Sequence, residues 1–326
     1  MTERRFETGL WRVLFCAAFA WLWVSPSVAA AEAGRPAAGM FVVWPKGAGG
    51  ADLGGREANL RQWETKLNLP PSSLLAMDFY GGSDATSLDD FAWLPAYWNQ
   101  KNPQRRLIWS LPLAFKGATL GAVAGGERDA DFARAAEAIA KSQPDAIIRL
   151  GWEMNGGWYP WAANDHESDY VAAYRRVAAL LKARSAQFSF VWCVNIGLQN
   201  GPADLAYPGD DVVDSIGMDV YDNVAREPDP ARRWRDVLVD GAFGLDWLAR
   251  FAEAHRKPMS LPEWGVGLHG APDNGYFVEA MADWMAAHAR SIAFQAYFNA
   301  PPSLLDSGRF PLALHAYLER FSAPAR

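Results

Sequence analysis

The sequence predicts an α/β fold, a single-domain (β/α)8 TIM barrel, on three observations. Eight short apolar runs recur along the chain, segments long enough for crossovers separate them, and no early Gly-x-Gly-x-x-Gly marks a dinucleotide-binding sheet. The runs are Met40–Pro45, Leu74–Tyr80, Arg106–Leu113, Ala146–Glu153, Phe188–Asn195, Ser215–Tyr221, Pro258–Trp264 and Ala293–Asn299. Each is almost continuously apolar, as parallel strands buried on both faces are. Helical periodicity is clearest over Asp131–Ser142 and Tyr170–Arg184, and it recurs over Gly244–His255 and Tyr276–Ala289. The barrel domain is expected over residues 39–321. Glu32–Ala38 reads as a mobile lead-in of small residues, and Gly47–Gly55 and Gly117–Gly126 read as loops near the rim.

Half of the 326 residues are hydrophobic, enough for one large core. Residues 1–31 read as a signal peptide: Arg4, Arg5 and Arg12 are basic, Val13–Val24 is apolar, and Ala30 or Ala31 offers a cleavage site. The expected product is exported, secreted or periplasmic, with no membrane contact after cleavage. Cys193 is then the sole cysteine of the mature chain, so no intrachain disulfide and no cysteine metal site is expected, and Cys193 reads as a packing residue. The five histidines show no His-x-x-x-His spacing, which argues against a metal hydrolase; no metal and no cofactor is expected. Net charge is −6 and no Lys/Arg-rich run appears, which excludes a nucleic-acid footprint. A monomer acting on a polysaccharide or oligosaccharide is the expected state.

In a barrel of this kind, functional residues stand at the C-terminal ends of the strands. The second run ends on Asp78 and Tyr80, the fourth on Glu153, the fifth on Asn195, the sixth on Asp219 and Tyr221, the seventh on Glu263 and the eighth on Asn299. Period two would put Arg149, Gly151 and Glu153 on one inward face. A charge there is costly unless paired or functional, so Arg149 and Glu153 are either a structural pair or part of a site. The Gly156-Gly157 turn leads into Trp158, Tyr159 and Trp161, which would wall a cleft. With 16 Trp in the chain, aromatic packing alone is the plainer reading of composition; position makes sugar stacking the sharper one. Glu153 and Glu263, on strands four and seven, would face each other across the mouth. Glycoside hydrolysis needs such a pair, one group to protonate the leaving oxygen and one to attack the anomeric carbon. Tyr221 could donate a hydrogen bond to Glu263, holding it ionised and aimed.

Residues 149–161 resemble the acid/base segment of glycoside hydrolase family 26, whose pattern is Arg, then His-Glu, then Asn-Gly and a Trp/Phe-rich wall. Pro208–Asp211 with Val213-Asp214 and Gly217–Tyr221 is similar to that family's sixth-strand segment, and Phe190–Asn195 to its fifth strand. Pro262-Glu263-Trp264-Gly265 falls where its nucleophile stands. The resemblance spans most of residues 40–300 and implies a retaining β-glycanase: an endo-β-1,4-mannanase, a mixed-linkage β-glucanase or a β-1,3-xylanase. It implies Glu153 as acid/base, Glu263 as nucleophile, Tyr221 as its hydrogen-bond partner and Trp158 as a sugar platform. Tyr80, Arg149, Trp152, Trp161, Trp192, Asn195 and Trp264 complete the expected substrate-binding set.

Departures from the pattern fall on the substrate side. Trp152 stands where the pattern has His, no His lies near Trp109-Ser110-Leu111-Pro112, and no Trp ends the eighth run, where Phe294, Tyr297 and Phe298 stand. The competing reading is a non-catalytic polysaccharide-binding barrel, whose mark would be the loss of one carboxylate; both are present.

Overall fold

In the computed structural model, which describes residues 36–42, 54–82 and 84–324, eight parallel strands close into a barrel. They are β1 (Ala37–Val42), β2 (Leu75–Phe79), β3 (Leu107–Leu111), β4 (Ile147–Leu150), β5 (Ser189–Asn195), β6 (Ser215–Tyr221), β7 (Met259–Gly265) and β8 (Ile292–Asn299). Each pairs with its successor, and β8 returns to β1 in a register running from Ala37 opposite Phe294 to Val42 opposite Asn299. Around them lie α1 (Gly54–Lys66), α2 (Leu94–Lys101), α3 (Leu120–Gly125), α4 (Asp129–Ser142), α5 (Glu167–Lys182), α6 (Pro230–Arg232), α7 (Leu245–Ala254), α8 (Gly275–Ala287) and α9 (Pro311–Phe321). The segment 1–31 and the stretch 43–53 lie outside the described residues.

Three local expectations are corrected. The end of the Glu32–Ala38 lead-in is strand, because Ala37 and Ala38 pair with Phe294 and Gln295 and close the barrel. The Gly117–Gly126 loop contains α3: Thr119 accepts from the Ala122 N–H at its start, and Gly126 ends it at φ 93°. Its run of Gly and Ala hides the helix from a periodicity argument. Finally, β4 stops at Leu150, not at Glu153.

Strand alternation decides which side chains enter the barrel. Ser110, Arg149, Cys193, Asp219 and Glu263 meet inside, as their mutual hydrogen bonds show. Phe41, Phe79 and Phe298 fill the same interior, Phe41 stacking on Phe298 at 4.7 Å between ring centroids. Their neighbours point outward into the helix layer. Asp78 reaches Arg56 of α1 and Trp98 of α2, Trp109 reaches Gln143 beyond α4, and Trp192 packs on Phe251 of α7.

One strand departs from regular pairing. The register of β7 slips by one residue against β6 between its Ser260 and Trp264 pairs, and it is irregular against β8 over the same stretch. Pro262 sits there without an N–H to give the ladder, which is where a bulge is tolerated. The slip sets the aim of Glu263, the next residue.

The N-terminal ends of β2 and β3 are tied down by charge. Arg105, fully buried, donates to Glu57 and Glu64 of α1 and, at 2.7 Å, to the Leu74 carbonyl. Removing one member of such a cluster strands the others without a counter-charge. Arg105→Met is therefore expected to lower unfolding free energy by about 3–5 kcal/mol, measured by guanidinium denaturation. A loss under ~1 kcal/mol, the range of an exposed pair, would show that the cluster is not holding the barrel floor.

Candidate active site

A cleft of about 450 Å³ opens at the C-terminal mouth of the barrel. Glu153, Asn195, Tyr221, Glu263 and Phe298 line it from the strand ends, and Trp158 walls one side. Both glutamates are only 7% exposed. Their surroundings differ, and the difference begins in the backbone.

Glu153 does not continue β4. Gly151 and Glu153 both adopt left-handed backbone, φ 55° and 53°, a conformation that costs a non-glycine residue about 1 kcal/mol or more. The chain is held there from outside: the Glu153 N–H donates to the Cys193 carbonyl of β5 at 2.9 Å, and Gly151 N–H to the Leu111 carbonyl of β3 at 2.9 Å. The turn lifts Glu153 off the Arg149 face and over β5. There Asn195 Nδ2 donates to Glu153 Oε1 at 2.5 Å, and Trp158 Nε1 to Oε2 at 2.9 Å. Asn195 is itself fixed: its N–H donates to Asn155 Oδ1, Asn155 donates back to its carbonyl, and Gln199 donates to its Oδ1. Burial, then the charge of Glu263, raise the Glu153 carboxyl to about 7 against the pull of the Asn195 and Trp158 donors.

Glu263 is held by donors of another kind. Arg149 Nη2 donates to its Oε1, and Tyr221 OH to its Oε2 at 2.8 Å. The same guanidinium donates to Asp219 Oδ2 at 2.8 Å and to Ser110 Oγ at 2.9 Å. Burial works against the charge on Arg149, but Asp219 and Glu263 outweigh it and push its pKa up, so it stays a cation. Burial and the Glu263 charge likewise keep the Tyr221 phenol protonated, as a donor must be. Cys193 is buried, and its thiol, also pushed up first by burial, lies 3.2 Å from Asp219. That makes it a lining of the network rather than a nucleophile. One carboxyl that holds a proton near neutrality thus stands beside one that accepts from a fixed cation, a pairing able to give a proton on one side of a bond and to attack on the other.

The expected site residues separate into three groups. Glu153, Trp158, Asn195, Tyr221 and Glu263 come together on the cleft. Arg149, Trp152 and Trp161 lie beneath it: Arg149 is fully buried, Trp152 sits 5.0 Å over its guanidinium, and Trp161 donates to the Trp152 carbonyl. They offer a ligand no open face, and Arg149 serves Glu263 and Asp219, not Glu153. Trp192, Trp264 and Tyr80 are corrections. Trp192 packs on Tyr207 and Phe251, Trp264 on Tyr297, Tyr317 and Phe321, and Tyr80 on Trp109 and Phe91. Each is one position out of phase with the inward face of its strand. Pro208–Asp211 also lies away from the cleft, Asp211 pairing with Arg175 of α5 and Asp210 with His255. Sequence reasoning missed Gln199, Asn223, Arg226, Leu238, His269 and Phe298, which complete the walls. All but Phe298 lie in connections between strands, where no periodicity marks them.

Comparison with known proteins adds the following. The model of Glycosyl hydrolase family 26 matches residues 129–258, from α4 to the residue before β7, so Glu153 lies within the match and Glu263 beyond it. A β-1,3-xylanase of Alcaligenes sp is 23% identical over 156 residues, 47% of this chain and 30% of that relative's length. The catalytic domain of a Bacillus sp. JAMB-750 endo-β-1,4-mannanase superposes with a TM-score of 0.60 at 18% identity, over 89% of this chain and 87% of that one. A Bacillus subtilis mannanase gives 0.61 at 18%, over 89% and 86%. A β-mannanase from a protist symbiont of the termite Reticulitermes speratus, complexed with gluco-manno-oligosaccharide, gives 0.58 at 14%, over 89% and 87%.

Two outcomes follow from the geometry alone. In a carbon-13 NMR titration the Glu153 carboxyl is expected to titrate at about 7. Asn195→Ala removes a donor that favours the ionised form, so the midpoint should rise; a fall, or a wild-type midpoint near the ordinary 4.5, would contradict this environment. A Cβ on Gly156 would collide with the Trp158 ring. Gly156→Ala should therefore leave the fold intact but displace the indole, seen as a changed Trp158 fluorescence and loss of its N–H bond to Glu153. An unchanged indole N–H resonance would mean that the ring is not pinned there.

Proposed function

We infer that the chain is a member of glycosyl hydrolase family 26, whose model matches residues 129–258, and that it cleaves β-glycosidic bonds within a polysaccharide with retention of configuration. The observation that carries this reading is the opposed surroundings of the two carboxyls, Glu153 raised to about 7 and Glu263 gripped by Arg149 and Tyr221. Glu263 attacks the anomeric carbon while Glu153 gives its proton to the leaving oxygen, forming a glycosyl ester on Glu263. Glu153, now a carboxylate, takes a proton from water, and that water attacks the anomeric carbon and frees Glu263. Trp158, 49% exposed, presents an indole face on which a sugar can stack while its N–H stays on Glu153.

The substrate class is a β-1,4-mannan, a mixed-linkage β-glucan or a bacterial exopolysaccharide, and internal cleavage suits a cleft that is open to solvent. Export through residues 1–31 belongs to the same reading; N-terminal sequencing of the mature protein would place the cut after Ala30 or Ala31.

Because the proton-bearing form of Glu153 is the active one, kcat/KM should fall as pH rises through about 7. The roles are assigned by rescue. Glu153→Ala should still be glycosylated by an activated aryl β-glycoside, and azide should then release a glycosyl azide of retained configuration. Glu263→Ala lacks the nucleophile, so azide should give the inverted product. The opposite pattern would reverse the two roles, and wild-type release of an inverted anomer, followed by proton NMR, would end the double-displacement reading.

A further inference from the structure

We propose that Arg226 reads a carboxylate on the substrate, so that the glycan cut here carries an acidic sugar in the subsite formed by the loop after β6; this rests on the glycanase reading above. Arg226 lines the cleft together with the two glutamates. Among the described residues no carboxylate lies within ion-pair distance of it. The hydrogen bond its side chain makes is from Nη1 to the Ile196 carbonyl at 3.4 Å, the outer edge of the range. A guanidinium carries five donors, so most of those on this cleft-lining residue are left without a protein partner.

Its isolation is unusual in this chain. Arg149, Arg175, Arg176 and Arg233 each pair with an aspartate. The other unpaired arginines have a local account. Arg184, Arg256 and Arg290 follow the C-termini of α5, α7 and α8, where a cation complements the helix dipole, and Arg309 lies 5.0 Å over Phe310. Arg226 stands at no helix end. The residue is exposed at the open edge of the cleft, where partial desolvation lowers its pKa with no acidic neighbour to offset it. The two acids of the cleft do not neutralise it either, since Glu263 is committed to Arg149 and Glu153 holds its proton near neutrality.

The backbone that carries the side chain is held in place. The guanidinium rests against Gly197, where a Cβ would collide with Nη1. The loop bearing it is locked at both ends: Arg233 donates to Asp222 on one side and to the Glu227 and Pro228 carbonyls on the other, and Asn274 secures Asp222. Between them Asn223 closes a turn on the Ala225 N–H. A rigid loop offering an unpaired guanidinium matches a carboxylate, which accepts two parallel N–H bonds. The chain as a whole carries −6, which opposes a densely charged polymer along its length. The acidic group is therefore sparse, one sugar at one subsite on an otherwise neutral strand.

The test measures binding of the methyl β-glycosides of glucuronic, mannuronic and galacturonic acid against their neutral parents, by ligand-observed NMR, on the wild type, Arg226→Gln and Arg226→Lys. At least one uronate should bind five-fold or more tightly than its parent. That preference should vanish in Arg226→Gln and persist in part in Arg226→Lys. No uronate favoured by more than two-fold, or a preference that survives Arg226→Gln, would overturn the proposal. The two readings fail separately. Uronate preference without cleavage of any neutral or acidic polysaccharide would sink the hydrolase reading, and cleavage without uronate preference would sink this one.

Discussion

A single buried guanidinium organises this barrel. Arg149 rises from β4 and donates to Ser110 of β3, Asp219 of β6 and Glu263 of β7. It is wholly out of water, with Phe79 and Trp152 at 5.7 and 5.0 Å from its carbon centre. A lone cation there would cost several kcal/mol. Two carboxylates and a hydroxyl offset that cost, and in doing so they fix four strands at one height. The aromatic rings exclude the water that would screen the pairs. Stability and function meet in this cluster, because the same bonds that keep the charge tolerable also aim Glu263.

From that commitment follows the asymmetry of the two glutamates. Arg149 bonds to Ser110, Asp219 and Glu263, and the left-handed turn at Gly151–Glu153 carries the other carboxyl over β5, to neutral donors. Burial and then the charge of Glu263 outweigh the Asn195 and Trp158 donors and the charge of Arg149, and its pKa rises to about 7. Identical side chains thus stand in different surroundings, one bonded directly to a cation and the other to neutral donors. The left-handed backbone at Glu153 is held by the β5 carbonyl of Cys193, which ties the position of this carboxyl to the strand that supplies Asn195.

The aromatic residues divide along the same lines. Eight of the 12 Trp among the described residues are buried; Trp63, Trp98, Trp109, Trp161, Trp192 and Trp264 are fully so, and Trp98 and Trp109 bridge the strand and helix layers. Trp158 differs because Gly156 leaves room for its ring to fold back on the turn. Its face is open to solvent while its edge serves Glu153. Trp152, the residue before Glu153, packs over the Arg149 guanidinium and insulates the buried charge.

The sequence by itself determined the layered fold and the place of the two carboxylates. Eight apolar runs at crossover spacing admit few packings, and an acid at the end of such a run is pushed to the mouth because the interior rejects it. Tyr221 as partner of Glu263 was legible for the same reason, being the strand-end residue on the neighbouring strand. Only the tertiary structure decided the partners of Arg149, which lie 70 and 114 residues away along the chain. It alone decided the turn that detaches Glu153 from its strand, the slip in β7 at Pro262, and the outward phase of Tyr80, Trp192 and Trp264. A linear pattern records how apolar a segment is. Which face a side chain takes at a strand's last residues depends on carbonyls and bulges supplied by other strands, and those contacts exist only once the barrel has closed.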